Sequence, residues 1–132
     1  MPSWKKVITS GSSASLSGLV ITGDLTVNAA KIRTYENSLV SVGTNVIASF
    51  PITDGNGVNF EYLIKSNTNY RVGNIMAVWD GVNINFTEVT TIDLGNTSDV
   101  ILYCRISSSN VELVADVVGP TSWVVNTLAK IL

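Results

Sequence analysis

From Leu39 onward the chain alternates apolar and polar residues with a period of two, the pattern of a β-strand that buries one face. Val58, Phe60, Tyr62 and Ile64 point one way, and Asn59, Glu61 and Lys65 point the other. Val82, Ile84 and Phe86 alternate with Asn83, Asn85 and Thr87, and Val111, Leu113, Ala115 and Val117 alternate with Glu112, Val114 and Asp116. Residues 100–106 are apolar on both faces apart from Arg105, which predicts a central strand or one pressed against another subunit. Turn residues fill the gaps. Asp54-Gly55-Asn56-Gly57, Asp80-Gly81, Ser107-Ser108-Ser109-Asn110 and Gly119-Pro120-Thr121-Ser122 read as hairpin connections. Asp80-Gly81 is the strongest of these, because it tolerates the positive φ of a type I′ turn. Strands spaced roughly 10–12 residues apart by such turns predict an all-β fold, an antiparallel β-sandwich of jelly-roll-like form. No segment reads as a helix, and Val124, Val125 and Thr127 make residues 124–132 a last strand.

The first thirty residues break this pattern. A Ser/Gly-rich stretch over residues 9–18 leads into Leu19-Val20-Ile21-Thr22-Gly23-Asp24-Leu25-Thr26-Val27. Leu16, Leu19, Ile21, Leu25 and Val27 are too few and too widely spaced to bury one another within one chain. Stacked against neighbouring copies, they would form a continuous core, the logic of repeat assemblies. Residues 1–30 are therefore expected to be an N-terminal anchor, a short intersubunit β-stalk or arm, and residues 31–132 a β-sandwich head. The alternative is that this piece adds an edge strand to its own domain.

Composition narrows the function. Charged residues make up 14% of the chain, well below the roughly 25% usual for globular proteins. The surface is then either polar without charge or covered by other chains, and copies repel one another weakly. A net charge of −2, with eight Lys and Arg spread along the chain, leaves no basic patch for a phosphate backbone, so nucleic-acid binding is not expected. The absence of histidine removes Ser-His-Asp and Cys-His catalysis and the commonest metal ligand. Cys104 is alone, so it forms no intrachain disulfide and no thiolate zinc site; a small buried mid-strand residue is the expectation. Neither a cofactor nor catalysis is expected. The opening lysines precede only Val7 and Ile8 before polar residues, too short an apolar run for a signal peptide. No stretch approaches the length of a membrane span, so membrane insertion is not expected.

Two groups of motifs carry a resemblance. Ser3-Trp4-Lys5-Lys6-Val7-Ile8 with Ser10-Gly11-Ser12, followed by Gly23-Asp24-Leu25-Thr26-Val27, resembles the start of structural proteins and fibres of tailed bacteriophages, marine ones especially. Tyr62-Leu63-Ile64-Lys65, Asn69-Tyr70-Arg71-Val72-Gly73, Met76-Ala77-Val78-Trp79-Asp80-Gly81, Phe86-Thr87-Glu88 and Gly95-Asn96-Thr97-Ser98 resemble the β-rich head of such fibres, with Ser107-Ser108-Ser109-Asn110-Val111-Glu112-Leu113 as its late hairpin. The resemblance implies a virion protein, commonly a homotrimer, docked by its N-terminus on capsid or tail proteins with the head outward. The stalk is short, closer to a capsid decoration protein or stubby spike than to a long tail fibre.

The candidate virion anchor and oligomer interface comprises Trp4, Lys5, Lys6, Val7, Ile8, Leu19, Ile21, Leu25 and Val27. Trp4 could fill a partner's pocket while Lys5 and Lys6 meet acidic groups there. For an alternative role as an adhesin that binds host surface glycans, Trp79, Asp80, Asn83 and Trp123 are the candidates, aromatics beside turns with hydrogen-bonding side chains nearby. Asp54-Gly55-Asn56, Asp93 and Asp99 are oxygen-rich, but their spacing matches no calcium loop and turn aspartates are routine. Glu88, Asp93 and Glu112 could form a glycosidase-type pair only if the fold gathered them in one cleft. Arg33, Arg71 and Arg105 are expected to form ion pairs, with Arg105 the buried one.

Overall fold

The computed structural model describes residues 11, 13, 15 and 17–132. Among them nine strands form: β1 (Leu25–Val27), β2 (Ala30–Val40), β3 (Gly43–Pro51), β4 (Gly57–Ser66), β5 (Asn69–Trp79), β6 (Ile84–Thr90), β7 (Val100–Ser107), β8 (Asn110–Val117) and β9 (Trp123–Ile131). A 3-10 turn, Ile52–Asp54, follows β3. All pairings between strands are antiparallel. The strands make a six-stranded sheet of order β1-β2-β9-β4-β5-β6 and a three-stranded sheet of order β3-β8-β7. The antiparallel all-β sandwich is as the alternation predicts, but its layers are unequal.

The core lies between the sheets. Phe60, Tyr62 and Ile64 of β4, Ile75 of β5, Val125, Ala129 and Ile131 of β9, and Val111, Leu113, Ala115 and Val117 of β8 are all buried. These are the inward positions that the period of two marks. Phe50 packs against Phe60 and Trp79 with ring centroids 6.1 and 5.8 Å away, tilted as aromatic pairs prefer. Cys104 is buried among them, and burial pushes its thiol up to about 12, so it is a core residue with no thiolate chemistry at neutral pH.

Four expectations change in detail. Residues 100–106 are not a central strand: β7 is an edge of the smaller sheet, with β8 central, and its apolar outward residue Ile101 lies exposed. The loops at 54–57 and 118–122 are not hairpins. They carry the chain from one sheet to the other, because β3 and β8 lie in the small sheet while β4 and β9 lie in the large one. Asp80-Gly81 does belong to a hairpin, but the loop is residues 80–83, built by the Asp80 carboxylate accepting hydrogen bonds from the backbone of Val82 and Asn83. The tight turn with two positive φ angles is at Ser108 and Ser109, at 50° and 64°. Finally, Arg105 is not the buried arginine: it sits on the outer face of β7, paired with Glu112 at 2.7 Å, and its side chain is more exposed than those of Arg33 and Arg71.

Arg71 is inward and closes one margin of the sandwich. Its guanidinium donates to the Tyr62 hydroxyl (3.2 Å), the Thr97 hydroxyl (3.2 Å) and the Val100 carbonyl (3.1 Å). The Tyr62 hydroxyl in turn donates to Glu88, and the Thr97 hydroxyl to Asp93. Burial, with the Glu88 hydrogen bond adding to it, raises the Tyr62 phenol far above its ordinary value, so it stays a donor. The Tyr62 ring lies directly over Gly73, where a Cβ would come within 2.5 Å of the phenol oxygen. That hydroxyl is tied to Glu88 and Arg71, so the ring has little freedom to swing aside. Gly73→Ala is expected to destabilise the fold by about 1–3 kcal/mol through overpacking, read as a lower urea midpoint with an unchanged slope.

Candidate assembly surface

The described part of the arm meets the head through β1, which hydrogen-bonds to β2 with Leu25 opposite Ile32 and Val27 opposite Ala30. β1 therefore adds an edge strand to its own chain, yet its three side chains stay exposed. Upstream, Leu19 and Val20 are 69% and 88% exposed, and Ile21 is also exposed. Trp4, Lys5, Lys6, Val7, Ile8 and Leu16 lie outside the described residues.

Arg33 fixes the point where the arm leaves. Its Nε donates to Asp24 at 2.6 Å, and its Nη1 donates to Asp54 at 2.7 Å. Lys31 reaches the other oxygen of Asp54 at 2.6 Å. These cations face inward because β2 runs above β3, the edge of the smaller sheet, where there is backbone rather than apolar core to meet. Farther along β2, Tyr35 donates to the Ser49 carbonyl and Asn37 to the Ile47 carbonyl. Nothing in the sequence alone singles out Lys31, or Asp54 as its partner. Asp54 had instead invited a calcium reading, but its carboxylate is occupied by the two cations.

A second apolar surface escaped the sequence reading. Register places cross-strand partners on one face, and the outer face of the large sheet carries Leu25, Ile32 and Met76 in one row. Leu128 and Val89 share the next row, then Leu63 and Val72, with Val78 nearer the other end. Val72, Met76, Val78 and Val89 are exposed. A shallow depression of about 350 Å³ lies here, lined by Leu63, Val72 and Leu128 together with Thr34, Glu36, Glu61 and Asn126. The signal was in β5: Met76-Ala77-Val78-Trp79 is apolar on both faces, which a strand with one solvated face is not.

The glycan candidates are not brought together as a sugar platform. Trp79 and Trp123 are 4% and 2% exposed, so neither ring offers a face for stacking. Trp79 donates its indole N–H to the Ile52 carbonyl at 3.0 Å, pinning the sheet-switching turn. Asp80 and Asn83 are at the surface but bond to each other. Those bonds, from the Asn83 backbone first, hold the Asp80 carboxyl at about 2. The carboxylates Glu88, Asp93 and Glu112 share no cleft: Glu88 and Asp93 bind within the Arg71 network, and Glu112 lies on the outer face of the smaller sheet with Arg105. Among the described residues no three His, Cys, Asp or Glu side chains gather as a metal site requires, and no helix is long and apolar enough to cross a membrane.

The chain matches no protein-family model and no curated protein. It is similar in structure to the tailspike protein of Acinetobacter baumannii phage AM24, with a TM-score of 0.43 and 8% identity over 77% of this chain. It spans 26% of that tailspike's length. A likeness this shallow carries no inference about activity.

The ion pairs give a pH test. Hydrogen bonds from Lys31, then from Arg33, hold the Asp54 carboxyl below its ordinary value despite partial burial. A depressed carboxylate contributes stability above the unfolded value of about 3.9, and that contribution is lost as pH falls through the lower folded value. The stability difference between the native chain and Asp54→Asn is therefore expected to be full at pH 7 and to shrink below about pH 4 in urea unfolding. Arg33→Ala should also speed proteolysis of the arm, since it removes the Asp24 contact.

Proposed function

We propose that this chain is a non-enzymatic structural subunit of a phage particle, a short decoration or spike protein that associates with copies of itself and with other virion proteins. The observation that carries the reading is the amount of apolar surface left uncovered in a chain with little charge. Leu19, Val20 and Ile21 on the arm, and Val72, Met76, Val78 and Val89 on the sheet, lie open to solvent. Exposed apolar area on this scale marks interaction surface, and its burial is worth about 25 cal/mol per Å². The phage assignment rests on the motif resemblance in the arm and head. Within that reading the copies form a trimer, the Trp4-Lys5-Lys6 end docks on capsid or tail, and three weak anchors on one rigid unit bind as a strong one.

The head holds its own core, and Asp24 and β1 are tied to it by Arg33 and β2. Removing residues 1–22 spares those contacts. The shortened chain is expected to keep a cooperative thermal melt and to lose incorporation into particles, measured by co-sedimentation with assembled virions. Normal incorporation of the folded, shortened chain would overturn the anchor assignment.

A further inference from the structure

The edge of the large sheet at β6 is open. In the β5–β6 ladder, Asp80 N–H donates to the Asn83 carbonyl and Thr91 N–H to the Val72 carbonyl. Hydrogen-bonded pairs alternate along an antiparallel ladder, so Asn85, Thr87 and Val89 bond inward to β5. Ile84, Phe86, Glu88 and Thr90 then direct their N–H and C=O groups away from the sheet. Native proteins usually blunt such an edge with lysine, proline, a bulge or a covering segment. β6 has no lysine and no proline, and its register with β5 is unbroken. Its one charge, Glu88, is turned inward and held by Tyr62, with the Arg71 guanidinium 3.8 Å away. The other edges differ. β1 is three residues long, and β3 ends on Pro51, has a register shift and is capped by Tyr35 and Asn37. β7 carries Arg105. Among the described residues no side chain caps the backbone of β6.

The same chain holds a strand-like segment without a partner. Residues 18–22, Gly-Leu-Val-Ile-Thr, have the β-branched and apolar character of a strand. No backbone hydrogen bond joins them to the rest of the described chain. No charge lies between Lys6 and Asp24, so a neutral strand is offered to an edge whose only charge is already compensated.

We infer that residues 18–22 of one copy pair as an added strand on the β6 edge of a second copy. This deepens the assembly reading above and rests on it. Leu19 and Ile21 then flank Phe86, which is 44% exposed at the sandwich margin, and Val20 lies beside Thr87 and Val89. The pairing is between copies because the two parts sit at opposite edges of one sheet. Five inter-strand steps of about 4.8 Å separate β1 from β6, roughly 24 Å. The tether from Asp24 to Leu19 spans about 17 Å fully extended, and Arg33 fixes its origin. With a donor at one edge and an acceptor at the other, two copies can exchange arms reciprocally, or successive copies can close into a larger ring or run on as a filament.

The test is native mass spectrometry of five samples. The native chain is expected as a multiple of 14.1 kDa. Phe86→Pro removes an outward N–H without breaking the β5 ladder, as edge positions allow, and should be a monomer, while Phe86→Val should assemble normally. A chain carrying Leu19→Asp and Ile21→Asp, with β6 intact, should also be a monomer. Mixing that chain with Phe86→Pro should give a dimer and nothing larger, because one arm and one edge remain functional between them. Should Phe86→Pro lose its thermal melt, Thr90→Pro probes the same edge. A folded edge variant that assembles like the native chain overturns this inference and leaves self-association standing, as arm-to-arm pairing would require. A mixture that stays monomeric also overturns it. A monomeric native chain overturns the inference together with the self-association in the reading above.

Discussion

The structure is organised by a mismatch: a six-stranded sheet is faced by a three-stranded one. The strands at the centre, β9 and β4 above β8, bury apolar side chains on the shared face and need nothing else. At the margins the smaller sheet ends in backbone, and apolar side chains cannot satisfy carbonyl groups. Polar side chains from the larger sheet do so instead. Tyr35 and Asn37 reach β3 carbonyls on one side, and Arg71 reaches the Val100 carbonyl on the other. Arg33 and Arg71 thus play parallel roles. Each is partly buried, each is matched by carboxylates, and each adds a tie to a connecting segment: the arm at Asp24, and the loop of residues 91–99 through Thr97. Leaving either carboxylate system without its cation would strand charge at a partly buried site, the costly half of an ion pair.

The same mismatch shapes the surface. An antiparallel sheet that covers a core with one face normally shows polar residues on the other. Here the outer face of β5 reads Tyr70, Val72, Asn74, Met76 and Val78, and β6 is open along its edge. Proteins of low charge have little electrostatic means of keeping such surfaces apart. In the proposed assembly, further chains cover both the arm and the sheet.

Much of the fold was legible because β4 and β8 obey the period of two on their inward faces, and β9 departs from it only at the buried Thr127. Phe60 and Leu113 can be placed from alternation alone. Position in a sheet is harder, since β7 is apolar on both faces as a central strand would be, yet Ile101 is exposed at an edge. Pattern reports what a side chain is, not whether a neighbour exists to cover it. Turn chemistry has the same blind spot: Asp54-Gly55-Asn56-Gly57 and Gly119-Pro120 change the chain's direction, and whether it returns to the same sheet depends on partners far along the sequence. Trp79 and Trp123 misled for a local reason, since a tryptophan next to a turn can face either way, and the sandwich needed both rings inside. Arg33 was legible as an ion-pairing residue, but its inward position and the role of Lys31 were not, because cations on a strand look like its solvent side, whereas here they face the backbone of the other sheet.

The disposition of charge constrains any assembly built from this chain. Lys31, Arg33, Arg71, Arg105 and Lys130 are each paired with a carboxylate of the same chain. Pairs satisfied at home offer little to a partner, and long-range steering needs uncompensated fields. Association through the described surfaces would then rest on apolar burial and backbone hydrogen bonding, both nearly indifferent to ionic strength. Lys65 has no such pair among the described residues, and Lys5 and Lys6 are two further cations without a carboxylate nearby in sequence. A contact made by that end with an acidic partner would weaken with salt while contacts between the heads would not, so the two kinds of interface in one particle would be separable by salt alone.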